Sequence, residues 1–254
     1  MQLNFDSVIF DLDGVITDTA AVHSKSWKQM FDEFLVTYSE RENIPFCEFT
    51  HKGDYLPFVD GKPRYKGVAD FLAARMIALP FGNPEDNPQT KSVCGLGNRK
   101  NQLFNEIIAS GNVTVFQSTV DLIYQLKELG IRIGVASSSK NCKTVLEAVG
   151  ILDQFETRVD GLVSAEIGLK GKPEPDIFTT ACDNLGVAYN RAVIVEDAIS
   201  GVQAGRNGNF GLVLGLAREG NTAELKANGA DIVITDIAEI NLEKINAWFV
   251  EQNA

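Results

Sequence analysis

The sequence predicts an α/β protein whose doubly wound parallel sheet is interrupted by an all-helical insertion. Residues 8–10 form an apolar run that leads directly into Asp-Leu-Asp-Gly at residues 11–14. From about residue 120 onward, short apolar runs alternate with segments of helical periodicity. Residues 18–110 show helical periodicity without a convincing strand. Strands that alternate with helices of this length predict a parallel sheet covered by helices on both faces.

The first element is a strand at residues 8–10, and its unbroken apolar character is typical of a strand buried on both faces. The spacing of apolar residues then predicts three helices, over residues 20–35, 68–79 and 97–108. The stretches 38–63 and 80–92 contain prolines and glycines, which indicate loops and short helices. Gly111 is expected to end the last of the three helices.

The alternation after the insertion predicts five further strands, at residues 131–136, near 161–163, and at 192–195, 211–214 and 231–234. Helices are predicted at residues 120–129, 140–149, 176–185, 199–207, 222–228 and 237–250. The domain organisation that follows is a core made of residues 1–17 and 111–254. Residues 18–110 are a helical insertion between its first and second strands.

Composition excludes several classes of protein. The chain has 254 residues, a formal net charge of −11 and 44% hydrophobic residues, which is ordinary for a globular protein. The negative charge argues against nucleic-acid or anionic-membrane partners. No apolar run approaches the roughly 18 residues of a membrane helix, and no signal sequence is evident, so a cytoplasmic location is expected. Four scattered cysteines predict reduced thiols, and two histidines exclude a multi-histidine metal site.

The strongest chemical signal is the pair Asp11 and Asp13, which directly follows the first strand. Open α/β sheets bind ligands at the carboxyl ends of their strands, so both acids are expected at a ligand site. Two carboxylates so close repel each other, which predicts that a cation lies between them. The alternative is an ordinary aspartate-rich turn closed by Gly14.

Three more polar segments follow predicted strands or precede predicted helices. Residues 137–141, Ser-Ser-Ser-Lys-Asn, provide hydroxyls at a helix start, where they could bind an anion or simply cap the helix. Lys172 lies between a glycine and a proline, in a turn that could present it to a ligand or to solvent. Glu196 and Asp197 follow another apolar strand and could bind a cation or cap the next helix.

Together these segments predict phosphoryl transfer. Four carboxylates without histidine favour a hard cation, most simply Mg²⁺. A lysine and a helix start with backbone N–H groups favour phosphate. A metal, a positively charged clamp and a nucleophile are the components that phosphoryl transfer needs.

The order of these motifs, DLDGV, VASSS, GKPEPD and VEDAISGV, resembles the four motifs of the haloacid dehalogenase-like superfamily. The β-phosphoglucomutase-like branch is more similar still, because His23, Trp27 and the run Ser139-Lys140-Asn141 also match. The resemblance spans most of the chain. It implies a Rossmann-like core, with residues 18–110 as a mobile cap domain.

The resemblance also implies roles for individual residues. Asp11 would be the nucleophile that forms an aspartyl-phosphate, and Asp13 would be the general acid and base. Ser137, Ser138 and Lys172 would hold the transferring phosphate. Mg²⁺ would be bound by four acids, of which Asp13 uses its backbone carbonyl: Asp11, Asp13, Glu196 and Asp197.

Further residues would contact the rest of the substrate. The resemblance assigns a second, non-reacting phosphate to Arg64, Ser139, Lys140 and Asn141, and a cap contact to Lys100. For Arg64 and Lys100 the alternative is a solvated basic face. His23 would be a hinge contact near the substrate, or simply a polar residue on an amphipathic helix. The cap stretches 38–63 and 80–92 are longer than the mutases need, which leaves the alignment of Arg64 open.

Three functions follow from these observations. The first is a Mg²⁺-dependent phosphatase that hydrolyses a small phosphorylated metabolite, a hexose phosphate. The second is a β-phosphoglucomutase, in which a sugar hydroxyl replaces water as the acceptor. Arg64, Lys100 and the run at residues 139–141 favour the mutase. The phosphatase is nevertheless ranked first, because of the long cap and the many chemistries that this fold carries. The third is a non-catalytic phosphosugar-binding protein, which would be expected to have lost Asp11 or Asp13.

Overall fold

A computed structural model describes residues 3–109 and 113–252 of the chain. The chain divides into two compact units. The core unit contains Met1–Asp18 and Val113–Ala254, and the helical unit contains Thr19–Asn112. Gly111 and the predicted domain boundary beside it lie outside the described residues.

The core unit contains six strands: β1 Ser7–Phe10, β2 Arg132–Ala136, β3 Thr157–Val159, β4 Ala192–Glu196, β5 Leu212–Leu216 and β6 Ile232–Ile234. The α-helices of the described residues, in chain order, are α1 Ala20–Glu42, α2 Leu56–Phe58, α3 Arg64–Ala74, α4 Val93–Ala109, α5 Gln117–Glu128, α6 Cys142–Ala148, α7 Gly161–Ile167, α8 Asp176–Leu185, α9 Ile199–Asn207, α10 Thr222–Ala227 and α11 Leu242–Gln252. The predicted α/β fold is confirmed.

All strand pairs are parallel, and the strand order is β3-β2-β1-β4-β5-β6. The central strand β1 therefore has β2 on one side and β4 on the other. Phe10 lies opposite Val135 of β2 and Val195 of β4. Because the three strands are parallel and in register, the polar residues that follow them emerge at one edge of the sheet. The strand order reverses between β1 and β4, which is where doubly wound sheets form their ligand crevice.

Apolar packing on the sheet holds this edge in place. Ile9 and Phe10 of β1 are fully buried. One cluster packs Ile9 and Ile194 against Ile177 and Phe178 of α8. This burial removes large apolar side chains from water and is worth roughly 1.5–3 kcal/mol for each of them.

The helical unit has its own core, built around three phenylalanines. The Phe31 ring centroid lies 4.9 Å from that of Phe49 and 4.1 Å from that of Phe71. All three side chains are buried. Residues 38–42 continue α1, which is longer than predicted, and the rest of the stretch 38–63 contains a short π-helix, His51–Tyr55, followed by α2. Residues 80–92 contain neither helix nor strand.

One predicted strand is wrong. Residues 161–163 lie in α7, and the strand of this region is β3, four residues earlier. The reason is local, because the Asp160 carboxylate accepts hydrogen bonds from the N–H groups of Leu162 and Val163. Asp160 is therefore an N-cap that starts a helix where the apolar run alone indicated a strand.

The last predicted helix is also divided: Ile237–Glu239 is a 3-10 turn, and α11 begins at Leu242. Within residues 3–109 and 113–252, none of the helices combines the length and the apolar character that crossing a lipid bilayer requires.

Candidate active site

Asp11 lies at the carboxyl end of β1, and its position is set by three hydrogen bonds. Its N–H continues the sheet by donating to the Val195 carbonyl at 3.0 Å. Its Oδ2 accepts the Asp13 N–H at 3.0 Å, and its Oδ1 lies 2.5 Å from Nζ of Lys172. The residue is 6% exposed. One carboxylate of the predicted pair is thus held rigidly at the edge of the sheet.

Lys172 is buried between two acids from neighbouring strands. Its ammonium group forms ion pairs with Asp11 and with Oε1 of Glu196. The other oxygen of Glu196 accepts the N–H groups of Asp197 and Ala198, each at 2.9 Å. Both Lys172 and Glu196 are almost completely buried. Lys172 therefore reaches the end of β1 from the turn between α7 and α8.

Burial and charge shift the pKa values of this cluster strongly. Burial raises the pKa of Asp11 to about 8; the Lys172 charge opposes the rise, and the charges of Glu196 and Asp13 add to it. Burial by itself would lower the pKa of Lys172, but the charges of Asp11 and Glu196 outweigh it and hold this pKa above its ordinary value. Asp11 and Glu196 flank one lysine and the Asp13 charge acts on Asp11, so the cluster has an excess of negative charge that additional positive charge would relieve.

Asp197 lies directly against the loop that carries Asp11 and Asp13. A Cβ atom on Gly14 would be 2.5 Å from Cγ of Asp197 and closer still to its Oδ2. Gly14 also has a φ of +83°, which side chains disfavour. A glycine is therefore required here, both for the backbone conformation and to admit the Asp197 carboxylate.

The loop after β2 forms a series of turns closed by serine hydroxyls. The Ser137 hydroxyl accepts the Ser139 N–H at 3.1 Å, and the Ser139 hydroxyl accepts the Asn141 N–H at 3.2 Å. Cys142 begins α6; burial raises the pKa of its thiol, and the charges of Asp13 and Asp11 raise it further. The start of α6 therefore lies within electrostatic reach of both acids.

Ser138 and Lys140 lie on the same loop, which packs tightly against the start of α7. The backbone oxygen of Ser138 would be 2.7 Å, and the backbone nitrogen of Lys140 2.9 Å, from a Cβ atom on Gly161. Gly161 itself donates its N–H to the Ser139 carbonyl at 3.1 Å.

Lys100, Arg64 and His23 belong to the helical unit. The Lys100 ammonium contacts Nδ1 of His23 and lies 4.6 Å from the ring centroid of Phe104. Arg64 donates to Oδ1 of Asn101 at 2.7 Å, and burial lowers the pKa of its guanidinium. Lys100 is 3% exposed, so a solvated basic face does not describe it.

The donor chemistry of the core unit suits a hard divalent cation. Asp11, the Asp13 carbonyl and Asp197 are oxygen donors on two adjoining segments, and Gly14 leaves space for the Asp197 carboxylate. Across residues 3–109 and 113–252, no three His, Cys, Asp or Glu side chains are already grouped around one point as metal ligands. The Glu196 oxygens contact Lys172 and the start of α9, so these contacts favour a role in holding Lys172.

Residues 5–209 match the haloacid dehalogenase-like hydrolases. The chain belongs to this family. The match covers the Asp11 loop, the serine loop after β2, Lys172 and the acids after β4. Members of the family generally use Mg²⁺, and the family together with the relatives below indicates that this chain is a phosphatase or phosphomutase.

Among relatives in this family, the β-phosphoglucomutase of Mycobacterium tuberculosis is 44% identical over 236 residues, which are 91% of this chain and 90% of that protein. The β-phosphoglucomutase of Bacillus subtilis is 32% identical, over 94% of this chain and 93% of its own length. A crystal structure of β-phosphoglucomutase from Clostridium difficile superposes with a TM-score of 0.75 at 25% identity, covering 98% of this chain and 99% of that one.

The core unit brings Asp11, Lys172 and Glu196 into direct contact, as the predicted cluster at the sheet edge requires. Sequence reasoning missed two residues that shape this cluster. Gly201 leaves the space that the Glu196 carboxylate occupies, and Arg218 donates to the carbonyl of Gly14. The glycine was visible in the motif VEDAISGV, but only the packing reveals its role.

Proposed function

We propose that this chain is a β-phosphoglucomutase that transfers a phosphoryl group through an aspartyl-phosphate at Asp11. The observation that carries the proposal is the buried contact of Asp11 with Lys172, beside a second carboxylate, Asp13, on the same loop. The proposal is supported by two relatives named β-phosphoglucomutase, 44% and 32% identical over about nine-tenths of their own length. These relatives favour the mutase over the phosphatase that the sequence ranked first.

The first step uses Asp11 as the nucleophile. One of its carboxylate oxygens attacks phosphorus, the bond from phosphorus to the sugar oxygen breaks, and Asp13 gives its proton to that oxygen. Attack of an anion on a phosphate is electrostatically unfavourable. Lys172, which contacts Asp11 directly, offsets that repulsion with a buried positive charge.

The second step reverses the first at a different hydroxyl. The acceptor is a sugar phosphate, so the product is a bisphosphate, which turns round in the site and gives its other phosphoryl group to Asp11. Asp13 removes the proton of the acceptor hydroxyl, whose oxygen attacks phosphorus, and the bond from phosphorus to Asp11 breaks. Each residue thereby returns to its starting protonation state. In a mutase the acceptor is a sugar hydroxyl, and in a phosphatase it is water.

A Mg²⁺ ion would be held by Asp11, the backbone carbonyl of Asp13 and Asp197, with Glu196 anchoring Lys172 beside them. When bound, it supplies positive charge to the transferring phosphate. The proposal assigns Ser137 and Ser138 to the transferring phosphate, together with Lys172. This assignment is supported by the position of the serine loop, which follows β2, the strand that pairs with β1 in the sheet.

The proposal assigns the helical unit the role of a cap that contributes substrate contacts. Arg64 and Lys100 would contact the substrate, together with Ser139, Lys140 and Asn141 of the core unit. His23 supports Lys100, because the two side chains are in contact. Lys100 is buried and Arg64 is half-buried, and each has a polar partner, His23 or Asn101, that holds its side chain in place.

The test is turnover of β-glucose 1-phosphate in the presence of Mg²⁺. Glucose 6-phosphate is measured by a coupled dehydrogenase assay, and inorganic phosphate is measured in the same samples. A catalytic amount of β-glucose 1,6-bisphosphate primes the enzyme. α-Glucose 1-phosphate is the matched control substrate, and Asp11→Asn is the matched control variant because it keeps the shape of the side chain.

Isomerisation without phosphate release, abolished by Asp11→Asn, is the expected result. Phosphate release without isomerisation would replace the mutase with the phosphatase. Binding of β-glucose 1-phosphate with neither reaction would leave the non-catalytic phosphosugar-binding protein, because Asp11 and Asp13 would then have no catalytic role.

A further inference from the structure

Arg218 lies in the turn after β5 and contacts three other segments of the core unit. Its Nε donates to the Gly14 carbonyl at 3.1 Å. Its Nη1 donates to the Thr235 carbonyl and to the Asp236 carboxylate, each at 2.9 Å. The centre of its guanidinium lies 3.8 Å from the ring centroid of Phe116. The side chain is therefore held in one orientation from several directions.

The bond to Gly14 matters because of where Gly14 lies. The N–H of Gly14 donates to the Thr17 carbonyl at 2.8 Å, and its carbonyl accepts from Arg218. Both peptide planes that flank Gly14 are thus oriented by hydrogen bonds. One of these planes contains the carbonyl of Asp13. The bond to Thr17 orients that plane, and the bond from Arg218 orients the next one, so the two bonds together fix the backbone of Gly14 directly after the two acids.

We propose that Arg218 is a positioning residue for the catalytic loop, acting through the carbonyl of Gly14. It contacts neither of the two acids, so it is not itself a catalytic residue. This inference rests on the proposed phosphoryl transfer at Asp11. No part of it depends on whether the acceptor is a sugar hydroxyl or water.

The geometry requires an arginine. A guanidinium is a planar fork with five donors, so it can bind Gly14 with Nε while Nη1 binds Asp236. A lysine at the same position has one donor group and can serve only one end of this bridge. Its charge would still pair with Asp236 and pack on Phe116, so the lysine variant separates stability from positioning.

Stability alone is a poor explanation for this arginine. Its Nη2 is buried and has no hydrogen-bond partner within the described part of the chain. A buried donor left unpaired is destabilising. Nη2 therefore carries an energetic penalty, whereas Nε and Nη1 orient Gly14 and bind Asp236.

The experiment compares wild type with Arg218→Met and Arg218→Lys, and uses Arg132→Met as the matched control. Arg132 lies at the amino end of β2, the opposite edge of the sheet, and pairs there with Glu156. The kinetic substrate is p-nitrophenyl phosphate with Mg²⁺, which reports on phosphoryl transfer for a mutase and for a phosphatase. Amide hydrogen exchange is measured on the metal-free protein, so the second readout needs no activity.

We expect Arg218→Met to lower kcat by between about ten- and 100-fold, because small displacements of catalytic groups have effects of that size. The KM for the ester should change less than about threefold, since Arg218 makes no substrate contact. Peptides covering residues 11–17 should exchange faster, and peptides covering β5 should not. Arg218→Lys should recover thermal stability but not kcat, and Arg132→Met should keep kcat.

Three results would overturn the inference. The first is an Arg218→Met variant that keeps the wild-type kcat. The second is an Arg218→Met variant whose amide exchange in residues 11–17 is unchanged. The third is full recovery of kcat in Arg218→Lys together with stability, since that would make the role merely structural. If Arg218→Met does not fold, Arg218→Lys decides by the same measurements. A wild type without turnover would instead refute the proposed function, and hydrogen exchange would still test the positioning role.

Discussion

Gly201→Ala tests whether Glu196 and Lys172 are locked in place by packing. Gly201 lies in the first turn of α9. A Cβ atom added there would overlap the whole Glu196 carboxyl group, since even the most distant of its three atoms, Oε2, would be only 2.5 Å away. The carboxylate cannot easily move aside, because Glu196 is fully buried and contacts Lys172 and the N–H of Ala198.

The expected sign is opposite to that of an ordinary helix substitution. Alanine usually stabilises a helix interior by roughly 0.5–1 kcal/mol relative to glycine. Separating a buried ion pair typically costs about 3–5 kcal/mol. The free energy of unfolding should therefore fall by roughly 2–4 kcal/mol. Loss of the anchored Lys172 charge should also lower kcat by roughly 100- to 1,000-fold, the usual effect of losing one preorganised charge contact.

Gly205→Ala is the matched control, because it makes the same substitution in the same helix. Its added Cβ would meet the methyl groups of Val213, at 2.9 and 3.1 Å, and no charged group. Overpacking should destabilise this variant by about 1–3 kcal/mol and leave kcat unchanged. Urea unfolding and the isomerisation assay give both quantities. A Gly201→Ala protein with wild-type stability and kcat would refute the reasoning, since Glu196 would then be free to move.

Three further predictions concern charge. Lys172→Met should lower the thermal midpoint of the metal-free protein, because it leaves Asp11 and Glu196 buried without their cation. An unchanged midpoint in calorimetry would contradict the stabilising role of these ion pairs. Burial raises the pKa of metal-free Asp11 to about 8, so below pH 8 the binding of Mg²⁺ should release a proton from Asp11. The affinity of the protein for Mg²⁺ should therefore increase as the pH rises to 8. Titration calorimetry in buffers with different ionisation heats measures the released proton, and no proton uptake by the buffer at pH 7 would count against this prediction. Burial by itself would raise the pKa of Asp236, but hydrogen bonds from the Ala238 N–H, Ser118 and Arg218 outweigh it and lower this pKa to about 2. Asp236 therefore stabilises the fold above its unfolded pKa of about 4 and loses that contribution as the pH falls through 2. Asp236→Asn should lower the free energy of unfolding by roughly 1 kcal/mol or less at pH 7 and not at all below pH 2, and equal losses at both pH values would argue against it.

Much of the chemistry was determined by short stretches of sequence. The motif at residues 11–14 follows an apolar strand, and nothing in packing explains two acids there. Glu196 and Asp197, at the end of β4, form a second such pair of acids. Local patterns of this kind indicate which residue types follow each strand, and a parallel sheet then brings the ends of its strands to one edge.

Helix starts were harder to predict, as residues 161–163 illustrate. The apolar run fitted a short strand, and the decisive feature was a single carboxylate, Asp160, which caps α7. A cap acts over three residues, whereas the periodicity of a strand or a helix needs a longer stretch to be evident. The misplaced strand is therefore a local error that left the topology intact.

The roles of Gly201 and Arg218 could be decided only by the tertiary structure. Gly201 acts by leaving room for a side chain five residues away, and Arg218 contacts a carbonyl 204 residues away in the chain. Neither relation has a period or a spacing that a single sequence can display. The sequence by itself determined which groups could perform the reaction, because that depends on residue type and on the order of the elements. Their orientation depends on contacts between distant segments, which exist only after the chain has folded.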